Sequence, residues 1–384
     1  MPHMSGTSRA VSGDGFSTRQ LQTLRRNLLE WYDVHKRDLP WRHRGDDPYA
    51  QLLAEFMLQQ TQVATVIPYY QRFLERFPTV QSLAEAQQDD VLALWSGLGY
   101  YSRARNLHAA ARIVVERFGG QVPRTVEELL TLPGIGRYTA GAIASVAFDT
   151  RAPILDGNVT RVLMRLLAME ADPKAPATRD KLWAVAEEVL PRERCGDFNQ
   201  ALMELGATVC TPKSPDCPQC PVRKICAARV MGREREIPPV ARRVRVQSAE
   251  WVTAAVRFGE AWLFVQRPPT GLWASLWELP SEPLAEGESL EAARNRIAAR
   301  LPDGCMLEPT SQAPVTRQLT HRRLTFHPFR GTAGSRRTAN GHRWVRPEEL
   351  STLGISNATR AILAALGGLP ARRRRAVRGV SQEA

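Results

Sequence analysis

Two carboxylates, a glycine-hinged turn and a group of four thiols carry most of the chemistry available to this sequence. Glu55 stands inside the apolar run of residues 52–58. A lone carboxylate there is either a core misfit paired elsewhere or a functional acid, because desolvation raises its pKa and keeps its proton on near neutrality. Asp156, in Ile154-Leu155-Asp156-Gly157-Asn158, stands just before a helical pattern. It reads as a helix N-cap or as a carboxylate facing a charged ligand. Together the two offer acids whose surroundings can push their roles apart. Twenty residues before Asp156, Leu132-Pro133-Gly134-Ile135-Gly136 ends. Gly134 and Gly136 permit a tight hairpin whose following helix start presents bare N–H groups, suited to a phosphate. Finally, Cys210-x6-Cys217-x2-Cys220-x5-Cys226 gathers four of the six cysteines into seventeen residues. Four thiolates so spaced can surround one tetrahedral centre, zinc or a [4Fe–4S] cluster.

The elements that must position these groups follow from periodicity. Leu21, Leu24, Leu28 and Leu29 give an amphipathic helix over 17–35, which Pro40 prevents from continuing. Residues 82–117 read as two helices around Trp95-Ser-Gly-Leu-Gly99-Tyr100-Tyr101, and 178–209 as one or two more. From Trp251 the pattern alternates, with strands turning at Gly259 and a helix over 288–301. The chain therefore divides into a tail (1–16), a mainly helical domain (17–229) holding the cysteine loop (210–226), a basic Pro-containing linker (230–248), an α+β domain (249–366) and a basic tail (367–384). With 384 residues, 52 Lys+Arg against 39 Asp+Glu and a net charge of +13, it suits a polyanionic partner. The absence of a long apolar run or a signal-peptide core argues against membrane and secretion, and clustered thiols favour a reducing compartment. A cytoplasmic, nucleoid-associated bacterial protein acting as a monomer is expected.

The hairpin with Asp156 resembles the helix–hairpin–helix and Gly/Pro-Asp motif of base-excision DNA glycosylases. The runs MLQQTQVATVIPYY and WSGLGYY are similar to signatures of the MutY family of adenine DNA glycosylases, and the cysteine spacing resembles the iron–sulfur loop that this family shares with endonuclease III. The order from Trp251 resembles the Nudix fold, more narrowly the MutT-like C-terminal domain of MutY. The resemblance implies a mainly α helix–hairpin–helix glycosylase domain with a [4Fe–4S] loop, followed by an α+β Nudix-like domain. It implies that Cys210, Cys217, Cys220 and Cys226 hold the cluster, and that Arg37, Leu39, Trp41 and Gln200 border an adenine pocket. Gln60, Thr61 and Tyr100 would enter the duplex beside the lesion, with Gly134 and Gly136 holding its backbone. Thr320 and His321 stand where the family often has Phe-Ser-His, although Leu319 replaces the aromatic.

The expected activity is hydrolysis of the N-glycosidic bond of adenine mispaired with 8-oxoguanine or guanine in double-stranded DNA, with Glu55 as acid and Asp156 stabilising the sugar cation either electrostatically or through a transient covalent bond. Tyr138, at the mouth of the hairpin, is expected to hydrogen-bond Asp156 or a DNA phosphate; it occupies the position at which endonuclease III relatives carry a lysine that attacks the sugar as an amine, so strand cutting is not expected. The Nudix metal box should carry glutamates along the helix, but residues 294–299 supply none, so that domain should bind and not hydrolyse. The rival readings are a bifunctional endonuclease III-like glycosylase/lyase and a non-catalytic DNA-damage-binding protein.

Overall fold

The structure, a computed structural model, describes residues 15–44, 47–239, 246–301, 305–319, 321–338 and 341–369. The helices up to the linker are α1 (Thr18–His35), α2 (Pro48–Leu58), α3 (Val63–Arg76), α4 (Val80–Ala84), α5 (Gln88–Trp95), α6 (Ser102–Phe118), α7 (Val126–Leu129), α8 (Arg137–Phe148), α9 (Gly157–Leu166), α10 (Pro176–Val189), α11 (Cys195–Thr208) and α12 (Ala227–Val230). By packing, the chain forms two compact units, Met1–Ala86 with Arg103–Arg243 and Gln87–Ser102 with Val244–Ala384.

In the first unit α1 opens on a capping box between Ser17 and Gln20 and buries Leu24, Leu28 and Tyr32 at helical spacing. These meet Val159, Val162 and Leu163 of α9 and Phe198, Leu202 and Leu205 of α11 in one core. Asp47 caps α2, and Tyr49 to Met57 are all buried, so this helix is covered on every side and carries Gln51 and Glu55 into the interior. Helix α8 is rich in small residues because a neighbouring chain segment lies against it. A Cβ at Gly141 would stand 2.3 Å from the Pro153 carbonyl oxygen, on the stretch leading to Asp156.

The second unit is an eight-stranded mixed sheet: β1 (Gln247–Phe258), β2 (Ala261–Gln266), β3 (Trp277–Glu278), β4 (Ser281–Pro283), β5 (Leu307–Pro309), β6 (Val315–Gln318), β7 (Arg322–Thr332) and β8 (His342–Val345). Its spine runs β3-β2-β1-β7-β5, with β1 and β7 parallel and the other pairs antiparallel. Alternation sends Val252, Ala254 and Val256 to one face, under Ala293 and Ile297 of α13 (Leu290–Ala298). Ala255, Phe264 and Phe326 face the other way, under Ile362 and Leu363 of α14 (Asn357–Ala365).

Three features depart from the sequence reading. Phe16, assigned to the tail, is buried against the first core. Residues 231–239, assigned to the linker, include Ile237, which is buried in that same core and whose carbonyl accepts from Arg165 Nε at 2.7 Å. Residues 87–102, assigned to the helical domain, pack with the sheet unit instead. An amphipathic helix records that it needs a cover, not which domain supplies it.

Candidate active site

Helices α2, α8 and α9 bring Glu55, Tyr138 and Asp156 within electrostatic reach of one another. Glu55 is 4% exposed. Burial pushes its carboxyl up to about 7, the Asp156 charge adds to the rise, and the Tyr138 hydroxyl and the Gln51 amide oppose it. Gln51, one turn earlier on α2, donates from Nε2 to Glu55 Oε1 at 2.9 Å. Among the described residues no basic side chain is a leading cause of the Glu55 shift. The Tyr138 hydroxyl approaches Glu55 and lies 3.3 Å from Met203 Sδ; burial and then the two carboxylates hold its pKa far above the usual phenol value, so it is a neutral donor.

Asp156 takes the capping role that the sequence allows. It is the N-cap of α9, accepting from the Val159 N–H at 2.7 Å on Oδ1 and from Asn158 Nδ2 at 3.2 Å on Oδ2. Burial raises its pKa, while those donors and the Arg161 guanidinium pull the other way. It therefore stands half-buried on Glu55's side of the unit with its orientation fixed by its own helix.

The hairpin between α7 and α8 is pinned to the end of α2. Gly134 has φ +80° and a Cβ there would collide with Asn106 at 2.7 Å, so turn and packing both require glycine. Gln59 Nε2 reaches the Gly134 carbonyl at 3.4 Å and Thr139 Oγ1 at 3.3 Å. Gly136 has ordinary backbone and open space around it; as N-cap of α8 it leaves the first N–H groups without a side-chain cap. Just beyond α2, Gln60 is exposed with φ +55°. Thr61 Oγ1 accepts from Arg103, a buried guanidinium that also holds the carbonyls of Phe56, Met57 and Gln59.

The group expected around an adenine pocket is organised by a residue the sequence reading missed. Glu204 of α11 is 1% exposed and takes Arg37 through Nε–Oε1 at 2.6 Å and Nη2–Oε2 at 3.0 Å. Arg42 adds a bond to Glu204 Oε2 at 2.9 Å and reaches Gln200 Oε1 at 3.2 Å. Burial works to raise the Glu204 carboxyl, and the two guanidiniums overcome it and hold it below the ordinary range. Arg37 and Gln200 thus belong to one network, while Leu39 and Trp41 are buried and Trp41 meets Tyr70 edge-on. The available signal was Glu204 four residues after Gln200, on the same helical face.

Cys210, Cys217, Cys220 and Cys226 line one cleft together with Arg165, Arg223 and Arg229. Burial and neighbouring thiols push Cys220 up to about 12 and Cys226 to about 11. Among the described residues no three His, Cys, Asp or Glu side chains are placed to hold a single ion. Buried Arg165 binds the carbonyls of Thr211, Pro212 and Ile237 and reaches Cys210 Sγ at 3.2 Å, so α9 supports this loop as well as Asp156.

In the second unit Tyr100 is 45% exposed with φ +49°, in a turn where Gly97 and Gly99 also take positive φ. His321 is exposed at the turn between β6 and β7; Thr320 lies outside the described residues. At the start of α13 Glu291 pairs with Arg294 and Glu288 with Arg296, while Glu282 of β4 is engaged by Arg296 and Arg300.

Residues 53–188 match the model of the HhH-GPD superfamily of base excision DNA repair proteins, and residues 252–365 match the NUDIX domain. The chain is 38% identical to the adenine DNA glycosylase of Homo sapiens over 89% of its length and 74% of that protein. It is 41% identical to the adenine DNA glycosylase of Rattus norvegicus over 88% of its length and 77% of that protein. A solved thermostable thymine-DNA glycosylase superposes with a TM-score of 0.51 at 30% identity, covering 56% of this chain and 98% of that one. With its carboxylates, hairpin and cysteine loop on a helical unit joined to a Nudix-like sheet, the chain belongs to the adenine DNA glycosylase family.

Proposed function

We propose that the protein is a monofunctional glycosylase that removes adenine paired with 8-oxoguanine, and with guanine, from double-stranded DNA. The observation that carries this reading is Glu55 buried among Gln51, Tyr138 and Asp156, where burial pushes its carboxyl up to about 7. An acid that keeps its proton at neutral pH next to a carboxylate is what departure of a neutral purine needs. Adenine leaves the stack. Glu55 gives its proton to N7 as the C1′–N9 bond breaks and its electron pair passes to the base. Asp156 stabilises the resulting oxocarbenium ion electrostatically, and water adds to C1′ while returning a proton to Glu55. Tyr138, a neutral donor with no amine, offers no Schiff base, which supports the monofunctional reading.

The open N-terminus of α8 at Gly136 suits a DNA phosphate, while Gln60, Thr61 and Tyr100 suit contacts at the lesion. Thr320 and His321 supply a hydroxyl and an imidazole for reading 8-oxoguanine. The four thiols bordering one cleft fit a [4Fe–4S] cluster held by Cys210, Cys217, Cys220 and Cys226, with three arginines and the carboxylates of Asp216 and Glu234 in the same lining. When bound, that group supplies structure and charge to the loop and no chemistry on the base.

The test is a single-turnover assay on duplexes with adenine opposite 8-oxoguanine, guanine or thymine, read with and without alkali. Adenine loss opposite the first two, with strands breaking only after alkali, is expected. Breakage without alkali would favour the lyase reading, and no base loss from any duplex would favour a non-catalytic binder. Purified protein should be brown and contain about four irons per chain; stoichiometric zinc would overturn the cluster.

A further inference from the structure

The turn carrying Tyr100 is held from the sheet unit, and the holding is specific. Tyr101 sends its buried hydroxyl to the Ile355 carbonyl at 2.7 Å and accepts the Gly97 N–H at 3.1 Å through the same oxygen. Ser96 Oγ donates to that same carbonyl at 2.9 Å. Asn357 Nδ2, at the start of α14, reaches the Gly97 carbonyl at 3.3 Å, and Arg360 reaches Ser96 Oγ at 3.2 Å. The preceding helix α5 is attached at its other end, where Asp89 accepts from Trp277 Nε1 at 3.3 Å and Gln266 Nε2 at 3.4 Å. Gly354 lies so close beneath α5 that a Cβ on it would stand 2.6 Å from Leu92 Cβ. Residues 354 and 355 are in turn fixed to the sheet, with the Trp277 N–H on the Gly354 carbonyl at 2.8 Å and a parallel bridge from Trp277 to Ile355.

A bulky residue at positive φ persists only where its surroundings over-determine the backbone. Tyr100 is such a residue, at φ +49° between Gly99 at φ +79° and the anchored Tyr101. We infer that the Ile355 carbonyl, through the hydroxyls of Tyr101 and Ser96, is the anchor that sets Tyr100 for the base opposite the adenine. Tyr101 and Ser96 are then positioning residues for 8-oxoguanine discrimination, and the sheet unit takes part in lesion reading through this turn as well as through Thr320 and His321. The inference rests on the reading of Tyr100 as a lesion contact. Removing the chain after the linker would strip residues 87–102 of these partners, so lost discrimination in such a truncated protein would not isolate Thr320 and His321.

The test uses the full-length protein with its cluster, as Tyr101→Phe and as Tyr101→Phe/Ser96→Ala. Phenylalanine keeps the ring packing and removes only the hydroxyl. Two readouts are taken: the ratio of affinities for adenine-containing duplexes bearing 8-oxoguanine or guanine opposite, and amide hydrogen exchange over residues 96–101. The single variant should lose about 3–10-fold of the 8-oxoguanine preference, the loss expected for one neutral buried hydrogen bond, and the double variant more. Exchange over 96–101 should quicken without change in α8 or α9, and the single-turnover rate at saturating enzyme should stay within about twofold of wild type. Wild-type preference retained in both variants would overturn the anchor while leaving the proposed function standing. A wild-type protein with no preference for 8-oxoguanine would instead remove the reading on which the anchor rests. A general loss of folding would show as faster exchange in α8 and α9 and would assign Tyr101 a structural role, overturning the inference.

Discussion

Glu55 and Glu204 lie on different helices of the same unit, 4% and 1% exposed, and their surroundings drive them to opposite charge states. Glu55 meets an amide, a phenol and another carboxylate, and its pKa rises to about 7. Glu204 meets two guanidiniums that accept its charge through three bonds of 2.6 to 3.0 Å, and its pKa falls. Burial is common to both, so burial does not decide which one is the acid. The donor set does: neutral neighbours leave a carboxyl holding a proton it can deliver, whereas cations make it a fixed anion that organises Arg37, Arg42 and Gln200.

The comparison breaks most visibly in rate. Glu55→Gln cannot deliver a proton, and Asp156→Asn cannot stabilise a cation, so each should lower the single-turnover rate of adenine removal by about 10^3-fold while duplex affinity changes little. A near-normal rate in either variant would end the assignment for that residue. Glu204→Ala should act on stability. It leaves Arg42, whose side chain is 15% exposed, without its anion, and releases Arg37, which is 39% exposed and readily rehydrated. Thermal or denaturant unfolding should register a loss of about 2–4 kcal/mol, less than for a fully enclosed pair because of the Arg37 exposure. The alkaline limb of the rate–pH profile should stay in place, since Glu204 faces guanidiniums and not Glu55.

What could be read from the sequence tracks how local each signal is. Glu55 was visible because one charge interrupts a run of six apolar residues, and the thiols because their spacing is compressed into a single loop. Helices, the strand alternation after Trp251 and the glycine hairpin all leave patterns within a few residues. Glu204 was missed because its partners Arg37 and Arg42 precede it by 167 and 162 residues, and a long-range ion pair leaves no local trace. Arg103 and Arg165 escaped for a related reason: each satisfies several carbonyls far away in sequence, and an arginine on a basic chain looks like solvated charge. The attachment of residues 87–102 was hidden in the same way, because its partners lie 177 to 264 residues away, among them the Ile355 carbonyl.

The same two carboxylates should give stability opposite dependences on pH. Glu55 has a folded pKa raised to about 7, so its stabilising contribution is fully present below its unfolded value and disappears as pH rises through about 7. Relative to wild type, Glu55→Gln should therefore gain about 3 kcal/mol between pH 4 and pH 8, read as a difference in unfolding free energy. Glu204 has a lowered folded pKa, so its contribution is present above the unfolded value and is lost as pH falls through the folded one. Wild type should approach Glu204→Gln in stability only in acid. Parallel curves for the two variants would show that the charge states are not opposed.

The smallest effect belongs to Tyr138, and it separates a tuner of Glu55 from a participant in bond breaking. Its hydroxyl stabilises the ionised form of Glu55, opposing the rise that burial and Asp156 impose. Tyr138→Phe removes that donor and leaves the ring in place, so the Glu55 pKa should climb further. A general acid works while it is protonated, and the alkaline limb of kcat/KM should accordingly move to higher pH by roughly half a unit or less. The plateau rate at lower pH, where Glu55 is protonated in both proteins, should change by less than about threefold. A limb that moves to lower pH would mean that the hydroxyl favours the protonated carboxyl instead. A plateau reduced by orders of magnitude with the limb unmoved would place Tyr138 among the groups that touch the reacting sugar, and the contrast between Glu55 and Glu204 would then no longer account for how this acid is tuned.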